Sequence, residues 1–179
     1  PLAEAVEIMK EGIACAARLV GEGRAVALKS GRPHYEVSRE VWDGSREVLS
    51  FAFGLAADLG CAVQVHAESG PCADMAALAS DAGLDPGKVV KHYATPDTAL
   101  VPSFLATHPD IPRIAREGRS FTMESDYMDE NTRPGAVIGP KSVPRMTRNL
   151  LESGALDEEA VYRIHTATPS RVYGVEIVL

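Results

Sequence analysis

Ala62-Val63-Gln64-Val65-His66, Lys88-Val89-Val90-Lys91-His92 and Phe121-Thr122-Met123-Glu124-Ser125-Asp126 are short apolar runs, each ending on a side chain able to ligate a metal. Apolar runs of this length between turn signals read as buried strands. Where such strands lie parallel, the side chains at their carboxyl ends converge on one mouth, so residues far apart in sequence share one site. His66, His92 and Asp126 are therefore candidate ligands of one ion or a pair of ions, and a hydrolytic metal site is the expectation.

Outward from these runs, strand and helix patterns alternate. Before the first run, Arg24-Ala25-Val26-Ala27-Leu28-Lys29 reads as another buried strand and Ser30 to Tyr35 as its loop. Ser38 is a good N-cap for a long helix through Leu59, which Gly60 ends. Leu2, Ala5, Ile8, Met9, Ile13 and Ala16 recur three or four apart, predicting an amphipathic helix that Gly21 and Gly23 stop. A helix after Gly70-Pro71 should close near Gly83, and a short one should cover Ile111 to Glu117. Ala99 to Ser103 is a further strand, with Pro102 best placed at its end because proline cannot donate to a ladder. Tyr127 to Ser142 is rich in turn residues. Helices over Val143 to Glu152 and from an Asp157 cap follow, and Thr168-Pro169 starts a last turn. About five strands alternating with helices predict a parallel α/β sheet. A closed barrel of eight strands takes about 250 residues. The expectation is a single domain over 1–179, the C-terminal two thirds of a TIM-type (β/α) barrel lacking about its first two strands.

Composition sets limits. The 179 residues are 45% hydrophobic and 24% charged, enough for one core. With 18 basic and 25 acidic residues the net charge is −7, which argues against gripping nucleic acid by bulk electrostatics. No apolar stretch approaches the roughly 20 residues that span a bilayer, and the first residues lack the regions of a signal peptide, so a cytoplasmic protein with no membrane partner is expected. Cys15, Cys61 and Cys72 are odd in number and lack Cys-x-x-Cys spacing, as reduced thiols do.

Six segments together, in order and spacing, carry a resemblance: Lys29-Ser-Gly-Arg-Pro-His-Tyr35, Val65-His-Ala-Glu-Ser69, Lys91-His-Tyr93, Glu124-Ser-Asp-Tyr-Met-Asp129, Arg133 to Lys141, and Val161-Tyr-Arg-Ile-His165. From about Arg24 to Ile177 the chain resembles the TatD-like metal-dependent hydrolases of the amidohydrolase superfamily, particularly their archaeal-type branch. The resemblance implies an eight-stranded barrel with one or two divalent ions (zinc, manganese, magnesium or iron) at its mouth, and it includes deoxyribonucleases. It places His66 and His92 after the fifth and sixth strands and Asp126 at the end of the eighth.

Two departures stand out. The family's His-x-His pair from its first strand is absent, since the histidines are His34, His66, His92, His108 and His165. Lys29 stands where a glutamate bridging two ions is expected. An ammonium has no lone pair to offer a metal. A lysine carbamylated by carbon dioxide would present two oxygens and bridge as glutamate does; otherwise Lys29 replaces a lost metal or balances substrate charge.

A divalent ion would lower the pKa of water from about 15.7 towards 7, and Asp126 could both hold it and accept the proton of the attacking water. Phosphoester hydrolysis is the expected reaction, on a small molecule or a nucleic-acid end. An amidase or lactonase, or a non-catalytic barrel remnant, are the alternatives. Among neighbours, Arg32 could clamp an anionic group bidentately or shape its loop through an ion pair. His34 is a substrate contact or a turn histidine, and Glu68 orients substrate or stays in water. Tyr93, Tyr127 and Arg133 fall on mouth loops. Glu124 faces the interior near the site or pairs with Arg32 or Lys91. His108 reads as a solvated turn and His165 as a packed histidine. Oligomeric state is left open.

Overall fold

The computed structural model describes residues 1–127 and 138–178. Five strands form one sheet in the order β1 (Ala27–Gly31), β2 (Ala62–His66), β3 (Val89–Lys91), β4 (Val101–Leu105) and β5 (Thr122–Glu124), every neighbouring pair parallel. The expected α/β architecture is thus present, and among the described residues β1 and β5 lie at the edges of the sheet.

Helices α1 (Leu2–Gly21) and α2 (Arg39–Leu59) flank β1. Ser38 caps α2, its hydroxyl accepting from the Val41 N–H at 3.3 Å, and Gly60 ends it at φ +65°. A Cβ-bearing residue rarely adopts that left-handed turn. Helix α3 (Ala73–Asp81) links β2 to a 3-10 turn at Pro86–Lys88, and α4 (Ile111–Arg116) links β4 to β5. No helix joins β3 to β4; residues 92–100, with Pro96 among them, cross in turns. The β4 strand begins two residues later than expected and runs to Leu105, so Pro102 sits near its start. The missing proline N–H falls at the margin of the ladder there, which serves as well as the other end. Toward the end of the chain come α5 (Ser142–Glu152), α6 (Glu158–Tyr162), a π-helical turn at Arg163–Ala167 and α7 (Thr168–Tyr173).

Strand alternation splits the side chains into two layers. Val63, Val65 and Val89 point out and pack with Leu49, Phe53, Ala56 and Met75 of the helices. Phe104 and Phe121 do the same with Ile111, Ile114 and Ile164. Facing inward, Ala62, Val90 and Val101 meet Val172, Ala27 and Tyr173. Phe53, Phe104 and Phe121 are fully buried, each contributing about 1.5–3 kcal/mol of transfer free energy. Among the described residues no helix is long and apolar enough to cross a membrane. Cys61 and Cys72 are buried free thiols and Cys15 is exposed.

Candidate functional site

The inward-facing register carries the site. Gly31 pairs with His66, so the last residue of β2 emerges at the carboxyl rim beside the loop that follows β1. His92 follows β3 and Asp126 lies two residues past β5, turned at φ +47°. Tyr93 is also left-handed, at φ +50°. Non-glycine residues held there cost of order 1–3 kcal/mol each and cluster at functional sites.

The rings form a row. His34 Nδ1 lies 3.0 Å from His66 Nε2, and the ring centroids of His66 and His92 are 5.4 Å apart. His92 Nδ1 is 2.8 Å from Glu124 Oε1 and its Nε2 is 3.3 Å from Asp126 Oδ1. Both carboxylates are acceptor-only, and the shorter contact puts the ring hydrogen on Nδ1, toward Glu124, so in the neutral ring the Nε2 lone pair faces Asp126. Two acceptors at that separation are satisfied by a proton or a metal cation between them, and the imidazole–carboxylate donor set fits a divalent ion. Among the described residues, however, no group of three His, Cys, Asp or Glu side chains is arranged to hold an ion; the donors meet in two pairs.

Glu124 is the hub. It also accepts from the Tyr93 N–H at 2.9 Å and the Ser103 hydroxyl at 2.5 Å. Burial would raise its carboxyl, but these donors and His92 hold it below the ordinary value. Burial, reinforced by the charges of His92, His34, Lys29 and Lys91, keeps the His66 imidazole below its usual range, so it stays neutral as ligation requires. Lys29 lies beneath the rim with Nζ donating to Gln64 Oε1 at 2.9 Å. Burial pushes its ammonium down, against the pull of Glu124 and Asp126. A cavity of about 330 Å³ is lined by His34, His66, His92, Tyr93 and Asp126, and one of about 660 Å³ by Lys29, His34, Tyr35 and His66.

The remaining candidates divide. Tyr93, 48% exposed, stands at the mouth. Arg32 is buried, its guanidinium committed to Glu68 and Asp74. Burial alone would lower the guanidinium, but those carboxylates raise it. Glu68, whose carboxyl burial would raise, is held low by Arg32. Neither side chain is presented to the mouth as a free group. The expected ion pair of Glu124 with Arg32 or Lys91 does not form: Lys91 shares the outward face of Val65 and donates to the His92 carbonyl at 2.6 Å. His108 accepts from the Asp110 N–H at 3.2 Å and lies against Phe104, so its turn is packed as well as wet. His165 is bonded to Thr147 at 2.9 Å, away from the rim. Arg133 lies outside the described residues. Sequence reasoning missed Ser103, Gln64, Asp74 and Trp42; the period-two spacing of Glu124 with Asp126 was the one signal available for the hub.

The chain is 42% identical over 158 residues to the uncharacterized protein MJ1127 of Methanocaldococcus jannaschii, covering 83% of this chain and 56% of that one. It thus spans a little over half the length of that curated relative. Among solved structures, the organophosphorus hydrolase from Deinococcus radiodurans aligns with a TM-score of 0.66 at 16% identity, covering 97% of this chain and 62% of that one. A mutant of a phosphotriesterase-like lactonase from the same organism aligns with a TM-score of 0.59 at 15% identity, over 83% and 56%. At such identities the likeness establishes the fold, that of TIM-barrel hydrolases. The profile of the TatD related DNase family matches residues 3–174, and the chain belongs to that family.

Proposed function

We propose that this chain supplies part of the active site of a metal-dependent hydrolase that cleaves phosphoesters, acting in the cytoplasm on a small molecule or a nucleic-acid end. One observation carries the reading: His66, His92 and Asp126 come from three strands to one rim, with His92 oriented by Glu124. His66, His92 and Asp126 would hold the ion, with Lys29 as a bridging carbamate when modified. Bound there, a divalent ion would acidify water and stabilise charge developing on the phosphoryl oxygens.

The chain's own residues do the rest. Asp126 accepts the proton of the attacking water, as a carboxylate within hydrogen-bond reach does. Glu124 keeps the hydrogen of His92 on Nδ1, so that Nε2 points into the site. His34 and Tyr93 face the cavity where substrate would sit. The family's description as DNase-related favours a phosphoester. A lactone is the second reading, favoured by the structural likeness to a phosphotriesterase-like lactonase.

The test is a panel of single-stranded oligonucleotide, phosphotriester, lactone and cyclic amide, assayed with added Mn²⁺ or Zn²⁺, against Asp126→Asn. Metal-stimulated cleavage of the oligonucleotide, lost in the variant, is expected. Cleavage of the lactone alone favours the second reading, and a folded protein with neither ion nor turnover marks a non-catalytic scaffold.

A further inference from the structure

One side chain locks two rim loops together. Arg32 has a side chain 2% exposed, although it follows β1 directly. Its Nε donates to Glu68 Oε2 at 2.9 Å and its Nη2 to Glu68 Oε1, a two-pronged bond. Nη1 donates to Asp74 Oδ2 at 2.5 Å and Nη2 to Asp74 Oδ1 at 3.0 Å, a second two-pronged bond. The Trp42 ring lies 4.8 Å from the guanidinium carbon. The Arg32 backbone N–H donates to the His66 carbonyl at 2.9 Å, and a Cβ added to Gly31 would run into that same carbonyl. The end of β1, helix α2, the loop after β2 and the first turn of α3 are thereby tied at one point. His34 lies two residues from Arg32, and His66 two residues from Glu68.

A buried ion pair is a weak source of stability, because desolvation offsets the attraction. What forked guanidinium–carboxylate bonds do supply is direction, since the planar fork admits few orientations. We propose that Arg32 is a positioning residue: through Glu68 and Asp74 it sets the imidazoles of His34 and His66 against each other at the rim, and does not itself touch substrate. This deepens the reading of the rim as an ion site, and part of its test is independent of that reading.

The test uses ¹⁵N-labelled protein at one fixed pH. In the His34–His66 hydrogen bond one ring donates while the other accepts, so the two set imidazoles show ring-nitrogen shifts displaced from the averaged values of a free neutral imidazole. Arg32→Met collapses these to averaged values. Arg32→Lys, which keeps the charge but not the fork, fails to restore them, and Asp74→Asn gives an intermediate result. Ile164→Val, in the core cluster on the outer face of the sheet, loosens the fold elsewhere and leaves them unchanged. Should Arg32→Met not fold, Asp74→Asn carries the comparison. Unchanged His34 and His66 shifts in the folded Arg32 or Asp74 variants, or equal changes in Ile164→Val, overturn the proposal. The second readout is calorimetric Mn²⁺ affinity, expected to fall about tenfold or more in Arg32→Met, as loss of supporting contacts around a ligand does. If the wild type takes up no Mn²⁺ while the ring shifts still respond to Arg32, the ion-site reading fails and the positioning role stands.

Discussion

Replacing Glu124 probes the rim most sharply, because three donors converge on it: His92 Nδ1–H, the Tyr93 N–H and the Ser103 hydroxyl. In Glu124→Gln the amide oxygen can take the place of Oε1 and keep both N–H donors, and the amide nitrogen then faces Ser103, whose hydroxyl can rotate to accept. All three contacts survive in neutral form. A hydrogen bond to a charged group contributes about 1.5–3 kcal/mol and a neutral one about 0.5–1.5. The change therefore costs roughly 1 kcal/mol at each of the three contacts, about 3 kcal/mol in all. In Glu124→Ala both N–H donors lose their partner in a group only 13% exposed. At about 1–3 kcal/mol for each unsatisfied donor, the loss rises to about 4 kcal/mol. Urea denaturation of the metal-free protein measures both, and the order wild type, glutamine, alanine is required. Mn²⁺ affinity should fall by about 10- to 100-fold in the alanine variant, because His92 is no longer held in one tautomer. Wild-type stability in both variants would refute the assignment of Glu124 as hub.

Two further outcomes follow from the same structure. Burial lowers the pKa of His165 from its ordinary 6.5, so below that value the unfolded chain binds more protons than the native one. Stability is then lost as pH falls from 6.5 towards the depressed native value. Denaturation midpoints compared at pH 7.5 and pH 5 should show this loss, and it should shrink in His165→Gln. Gly31→Ala drives a methyl group into the His66 carbonyl, so it should cost about 1–3 kcal/mol of stability, as overpacking does. It should also weaken ion uptake, and a fully stable variant with unchanged uptake in calorimetry would contradict the packing described.

The strands were legible because their residues obey one rule each. Val63 and Val65, like Val89, are apolar on the outward face, and turn residues bracket every run. His66, His92 and Asp126 could be placed at strand ends for the same reason, since position along a parallel strand already decides which rim a residue reaches. What could not be read was pairing. Arg32 meets Glu68, Asp74 and Trp42 only because two loops and two helices pack together, and none of these is close to it in sequence. Glu124 bonds to His92 and not to Lys91 because Lys91 lies on the opposite face of the sheet, a matter of strand register. Lys29 shows the limit from the other side: its place on β1 was foreseen, but its bond to Gln64 depends on the pairing of β1 with β2.

The claim that the rim holds a divalent ion is tested most directly by anomalous diffraction from crystals soaked in Mn²⁺. A single dominant peak is expected within ligating reach of His92 Nε2 and Asp126, with His66 beside it. A map with no peak there at saturating Mn²⁺, or with its strongest peak elsewhere on the molecule, would contradict it.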